Sequence, residues 1–171
     1  MTGSNPLDGY AIVEAVAPEQ VEAVRVLLRE YMTEQGLNPV SSKRAFEDLL
    51  NLPGRYRRPQ GRLLLALQDG APVGCGGLTD VVINGRVAPG WCEMKRVYLS
   101  PSVRGGGRGR ALVQRLVDEA RAARYVRVVL STRRRWVSAL ALYRAMGFRE
   151  SEPFKTRPDD MADLTFMAID L

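Results

Sequence analysis

Between Val103 and Leu112 the chain reads VRGGGRGRAL, with four glycines at 105, 106, 107 and 109. The stretch before it, WCEMKRVYLS, is rich in β-formers. The stretch after it carries Leu112, Val113, Leu116, Val117 and Ala120 on one helical face, ending near Ala123. A glycine cluster locked between a strand and an amphipathic helix is a structured turn rather than a linker. Successive glycines can aim several N–H groups into one concavity, and the following helix adds its positive end, so the turn suits an anion.

Three phosphate cradles compete for this turn. A Walker loop needs a lysine just inside the helix to reach the terminal phosphates, and none stands there. A dinucleotide fingerprint needs GxGxxG, but Gly105-x-Gly107 is followed by Arg110 and Gly107-x-Gly109 by Leu112. The pattern Arg-x-x-Gly-x-Gly is met by Arg104, Gly107 and Gly109, and it fits a pyrophosphate.

The rest of the chain supplies a fold around that turn. YAIVEAV, from Tyr10 to Val16, reads as a first strand. Val21, Val24, Leu27, Leu28, Tyr31 and Met32 then mark a helix ended by Gly36. SSKRAFEDLLNLPG predicts a short helix capped by Ser41 or Ser42, stopped at Pro53-Gly54, with an apolar face of Phe46, Leu49 and Leu50. RLLLALQ, APVGCGGLTDVV and WCEMKRVYLS form a meander through the turn signals Asp69-Gly70 and Asn84-Gly85. Beyond the glycine loop and its helix come the buried strand YVRVVLST, a helix in RRRWVSALALYRAMGF closed by Gly147, and the terminal strand MADLTFMAIDL. The order predicts one domain over 1–171, with 1–9 a flexible lead, and a mixed α/β sheet with helices on both faces.

The chemistry is bounded by what is missing. There is no histidine, which removes Ser-His-Asp triads, Cys-His dyads and zinc sites with His ligands; no metal is expected. Cys75 and Cys92 are too far apart for a CxxC pair and read as small buried strand residues. A net charge of +6 favours anionic partners without choosing among nucleic acid, membrane and phosphorylated cofactor. The basic residues do not repeat on one helical face, so a nucleic-acid-binding module is the lesser reading. MTGSNPLDGY has no signal-peptide pattern and no 18-residue apolar run occurs, so no membrane association and a cytoplasmic location are expected.

The segment EMKRVYLSPSVRGGGRGRALVQRLVDEA, with ALYRAMGF and MAIDL, resembles the acetyl-CoA binding motif and flanking elements of the GNAT superfamily, the Gcn5-related N-acetyltransferases. The resemblance covers nearly the whole chain. It implies about seven mostly antiparallel strands with about four helices on both faces, and fourth and fifth strands that splay apart. It further implies acetyl-CoA as co-substrate, with the backbone of Val97, Tyr98 and Leu99 pairing with the pantetheine arm. Arg104, Gly105, Gly106, Gly107, Arg108, Gly109 and Arg110 would wrap the pyrophosphate.

Acetyl transfer to an amine needs a base, an oxyanion donor and a proton for the departing thiolate; without histidine the base is a carboxylate, a tyrosine or a water chain. By similarity Glu93 is the candidate base, with Lys95, Val97 and Leu99 expected on its face by alternation. The other reading of the same residue is a structural ion-pair partner of Lys95, Arg96 or another arginine. Tyr143 holds the position that in similar enzymes protonates the CoA thiolate, and otherwise packs as a core aromatic. A backbone N–H near Val97 is the candidate oxyanion donor.

One position departs from the family pattern: Trp136 stands where an asparagine often helps hold the cofactor. Arg133, Arg134 and Arg135 crowd the predicted start of a helix, as a CoA-phosphate contact or a solvated cluster. By resemblance, the acceptor would be set by Tyr31, the LNPVSS loop, GRYRRPQG and SEPFKTRPDD, where Asp159 and Asp160 could attract an amine or form a solvated turn. The reading is an N-acetyltransferase acting on a primary amine of a small molecule or peptide, directly in a ternary complex. A non-catalytic acetyl-CoA sensor is the other class, and a homodimer through the C-terminal strands is common among similar proteins.

Overall fold

The computed structural model describes residues 7–40, 42–155 and 162–171. Ser41 as a helix cap, Asp159 and Asp160 as an amine lure, and the first six residues of the expected lead lie outside the described residues.

The chain runs β1 Tyr10–Glu14, α1 Pro18–Glu34, α2 Lys43–Leu50, a 3-10 turn at Gly54–Tyr56, β2 Arg62–Gln68, β3 Ala71–Ile83 and β4 Arg86–Leu99. It continues with a second 3-10 turn at Pro101–Val103, α3 Arg108–Ala122, β5 Arg127–Arg133, α4 Val137–Ala145, β6 Arg149–Glu150 and β7 Leu164–Asp170. The strands make one sheet in the order β1-β2-β3-β4-β5-β7-β6. Every pairing is antiparallel except β4 with β5. Among the described residues no helix is long and apolar enough to cross a membrane.

Local chemistry explains the elements. Helix α1 starts at Pro18, whose missing N–H costs nothing at a first helical position, and Gln20 Oε1 accepts from the Val16 and Ala17 N–H groups at 3.1 and 3.0 Å. It ends where Gly36 takes φ +62°. Asp69-Gly70 and Asn84-Gly85 both hold positive φ at each central residue, the twist-matched hairpin geometry the sequence predicts.

Packing divides the sheet into two faces. Cys92, Met94, Val128, Leu130 and Met167 meet α3 and α4 on one side. Leu63, Leu65, Cys75 and Tyr98 meet α1 and α2 on the other, where Val81, Val129, Phe154 and Phe166 form a second, separate cluster. Glu119 is buried on α3. It accepts from Arg62 Nε at 3.0 Å and Arg115 at 2.9 Å, and these hold its carboxyl below the usual range although burial pushes it up.

Several expectations need correction. Leu50 is 75 % exposed, whereas Leu49 and Phe46 pack as expected and Ala45 takes the remaining inward position on α2. Strand β4 begins five residues before Trp91, since the Asn84-Gly85 hairpin pairs Val82 with Val87. The segment RRRWVSALALYRAMGF is helical only from Val137: Arg133 ends β5 and Trp136 is the N-cap of α4.

Candidate active site

Beyond Glu93 the sheet opens. The parallel pairing of β4 and β5 consists of Trp91 with Arg127, Cys92 with Val128 and Glu93 with Val129; past it β4 continues to Leu99 and β5 to Arg133 with no ladder between them. The β4 backbone from Met94 onward therefore presents an edge to the gap, and an unpaired edge accepts an extended chain.

That edge carries a bulge. The β3–β4 register shifts between Cys75 and Gly77, and Arg96 sits at φ +57°, a conformation unusual for a non-glycine residue. The bulge exchanges the faces. Met94, Val97 and Leu99 pack on the α3/α4 side, whereas Tyr98 packs on the α1/α2 side. Val97 and Leu99 thus do not share the face of Glu93 and Lys95, contrary to simple alternation.

The glycine loop ends the gap. Gly105, Gly106 and Gly107 all have positive φ, at +93°, +57° and +81°, and Gly107 is the left-handed N-cap of α3. A Cβ on Gly105 or Gly107 would meet nothing within 4 Å, so these glycines serve backbone conformation and leave open space beside them. The first turn of α3, including Gly109 and Arg110, adds the N–H groups that a helix start leaves without an intrahelical acceptor. Two arginine side chains are engaged elsewhere: Arg104 donates to Glu34 at 2.7 Å and to the Leu99 carbonyl at 2.9 Å, and Arg108 to Gln68 at 3.1 Å. Their share in an anion site would come from backbone.

Glu93 is buried at the point where the strands part. Its Oε1 accepts from Lys155 Nζ, and Lys95 Nζ lies 3.9 Å from Oε2. Lys95 also approaches Asp48 of α2 at 3.7 Å; Asp48 in turn accepts from Arg96 at 2.8 Å and from Tyr56 Oη at 2.9 Å. Burial pushes the Lys95 ammonium down to about 8, opposed by Glu93 and Asp48. Asp48 is held below the usual carboxylate range because Lys95 and Arg96 outweigh its burial.

Tyr143 is buried on α4 with its ring edge against Phe148 at 5.7 Å, on the opposite face of the sheet from Glu93. Burial, and secondarily Tyr31, push its phenol up, and among the described residues its hydroxyl makes no hydrogen bond. Tyr31 of α1 contacts both Tyr98 at 5.8 Å and Trp136 at 6.3 Å, so an aromatic row runs from α1 to the start of α4. Both thiols are buried and pushed up to about 12, which leaves neither a ready nucleophile.

The Acetyltransferase (GNAT) family model matches residues 21–148. The chain belongs to the GNAT acetyltransferase family. A relative from Schizosaccharomyces pombe, named an uncharacterized N-acetyltransferase, is 28% identical over 155 residues, 90% of each chain. The IAA acetyltransferase of Azospirillum brasilense is 39% identical over 97 residues, covering 57% of this chain and 60% of that one. Among solved structures, a GNAT acetyltransferase from Staphylococcus aureus superposes with TM-score 0.75 at 18% identity, over 94% of this chain and 98% of that one. A Salmonella typhimurium protein solved with acetyl-CoA superposes at 0.68 and 20% identity, over 95% and 94%.

In this GNAT chain Arg134 and Arg135 directly precede Trp136, the N-cap of α4, and the cluster that starts at Arg133 is paired by carboxylates from later segments. Arg133 pairs with Asp163 at 2.8 Å, Arg135 approaches it at 3.9 Å, and Arg134 reaches Glu150 at 3.4 Å. Sequence reasoning placed Lys155 only within the SEPFKTRPDD segment and did not single out Lys155 or Asp48 as the partners that complete the charge cluster around Glu93. Neither stands in a motif, and each meets the site only through long-range folding.

Proposed function

We propose that the chain is an acetyl-CoA-dependent N-acetyltransferase, a cytoplasmic enzyme that acetylates a primary amine directly in a ternary complex. The observation that carries this reading is the opening of β4 from β5 beside a buried carboxylate, Glu93, with the glycine loop at the far end of the same edge. Acetyl-CoA supplies the acyl thioester. The β4 edge at Val97, Tyr98 and Leu99 would orient its arm by main-chain hydrogen bonds, and Gly105 to Arg110 would hold its pyrophosphate through N–H groups and the α3 dipole.

Glu93 would accept a proton from the acceptor ammonium once Lys155 is displaced, a task for which burial beside the gap suits a carboxylate. The amine nitrogen bonds to the thioester carbon as the carbon–sulfur bond breaks. Two protons leave that nitrogen: one exits through Glu93, and one balances the proton that Tyr143 gives to the thiolate. Direct transfer is favoured over an acetyl-enzyme because Cys75 and Cys92 are buried thiols with raised pKa.

The test is CoA release from acetyl-CoA across amines, amino acids, polyamines and peptide N-termini, with the product weighed by mass spectrometry. An amine bearing one added acetyl group supports the reading. Tight acetyl-CoA binding with no amine-dependent CoA release would instead favour the sensor.

A further inference from the structure

Charge around Glu93 is unevenly divided among the described residues. Lys95, Arg96 and Lys155 share two carboxylates, Glu93 and Asp48. Across the gap, Arg133 and Arg135 share Asp163. Tyr31 joins the two groups: its phenol, raised by burial, is drawn back by both Arg96 and Arg133. Burial lowers the Lys95 ammonium, with Glu93 and Asp48 opposing that shift and Arg96 and Lys155 adding to it.

The cation on the carboxylate is the more exposed of the pair. The Lys155 side chain retains 24% exposure, whereas that of Glu93 retains 9%. An incoming amine therefore meets Lys155 first and must take its place on Oε1. A simple ammonium or polyamine would leave the displaced Lys155 without its carboxylate and would add positive charge where, among the described residues, cations already outnumber carboxylates.

We infer that the acceptor is a zwitterionic amine of the amino-acid class, whose ammonium replaces Lys155 on Glu93 while its carboxylate replaces Glu93 on Lys155. One internal ion pair is exchanged for two external ones, and the net charge of the cleft is unchanged. A molecule carrying both charges close together is the chemistry that satisfies both ends of the opened pair. The inference rests on the acetyl-transfer reading of the site, with Lys155 as the group that selects the acceptor.

The experiment measures equilibrium binding of α-amino acids, each beside its own carboxamide, and of spermidine, to the full chain saturated with CoA. CoA release from acetyl-CoA is followed in parallel. The expected result is at least ten-fold tighter binding of some acid over its amide, with spermidine weaker than both. Lys155→Met should narrow that ratio to within about two-fold, and Lys155→Arg should restore it. Acids and amides bound equally, or spermidine preferred, would overturn the inference even if acetyl transfer proceeds. A clear preference for the acid without CoA release would uphold the binding assignment and count against the transferase reading alone.

Discussion

Lys155 Nζ is hydrogen-bonded to Glu93 Oε1 across 62 positions of sequence, joining the segment after β6 to the point where β4 leaves β5. A primary amine thus already rests on the carboxylate expected to accept a proton from the acceptor. If Glu93 is the base, the acceptor must compete with this internal cation for the carboxylate.

The glycine loop is predicted to respond to a single methyl group. Gly107 holds φ +81° as the N-cap of α3, so Gly107→Ala forces a left-handed conformation that costs about 1–2 kcal/mol for an L-residue. Thermal unfolding should show a Tm lower by several degrees. Calorimetric titration should show acetyl-CoA affinity reduced at least ten-fold. Unchanged acetyl-CoA binding in the folded variant would remove the loop from the cofactor site.

Tyr143→Phe separates packing from proton transfer. The ring buries against Phe148 and the hydroxyl makes no hydrogen bond among the described residues, so stability in denaturant melts should stay close to that of the wild type. Turnover should fall by about ten- to a hundred-fold while acetyl-CoA affinity stays within two-fold. Weakened binding with full turnover would make the tyrosine a packing residue only.

Glu119 is expected to matter for stability and not for chemistry. Its removal in Glu119→Ala leaves Arg62 buried without its carboxylate, at a cost of about 3–5 kcal/mol. Because the folded-state pKa is depressed, its contribution is complete above the ordinary glutamate range and is lost as pH falls through the lower folded value. Wild-type stability should therefore drop on acidification below about pH 4.5, and the variant should lack that part of the drop. Identical acid-unfolding profiles for both proteins would show that the network contributes nothing.

Local features of this fold were legible in the sequence and distant ones were not. VRGGGRGRAL, Asp69-Gly70 and Asn84-Gly85 announce their conformations because glycine tolerates positive φ, and α1 and α3 show their buried faces by periodicity. The bulge at Arg96 left no such mark: an arginine in a strand pattern reads as ordinary alternation, yet its positive φ moves Val97 and Leu99 to the face opposite Glu93. Strand β6 spans only Arg149–Glu150, too short for any period, and it owes its place to β7. The arginines at 133 to 135 looked unbalanced because their partners, Asp163 and Glu150, come from later segments.

The most direct measurement is the rate of acetyl transfer by Glu93→Gln between pH 6 and pH 9, beside its acetyl-CoA affinity. Loss of about a hundred-fold or more in kcat, with acetyl-CoA bound as tightly as by the wild type, is the predicted result. Full rate across that range would contradict the assignment of Glu93 as the base and leave the ion pair with Lys155 a structural contact.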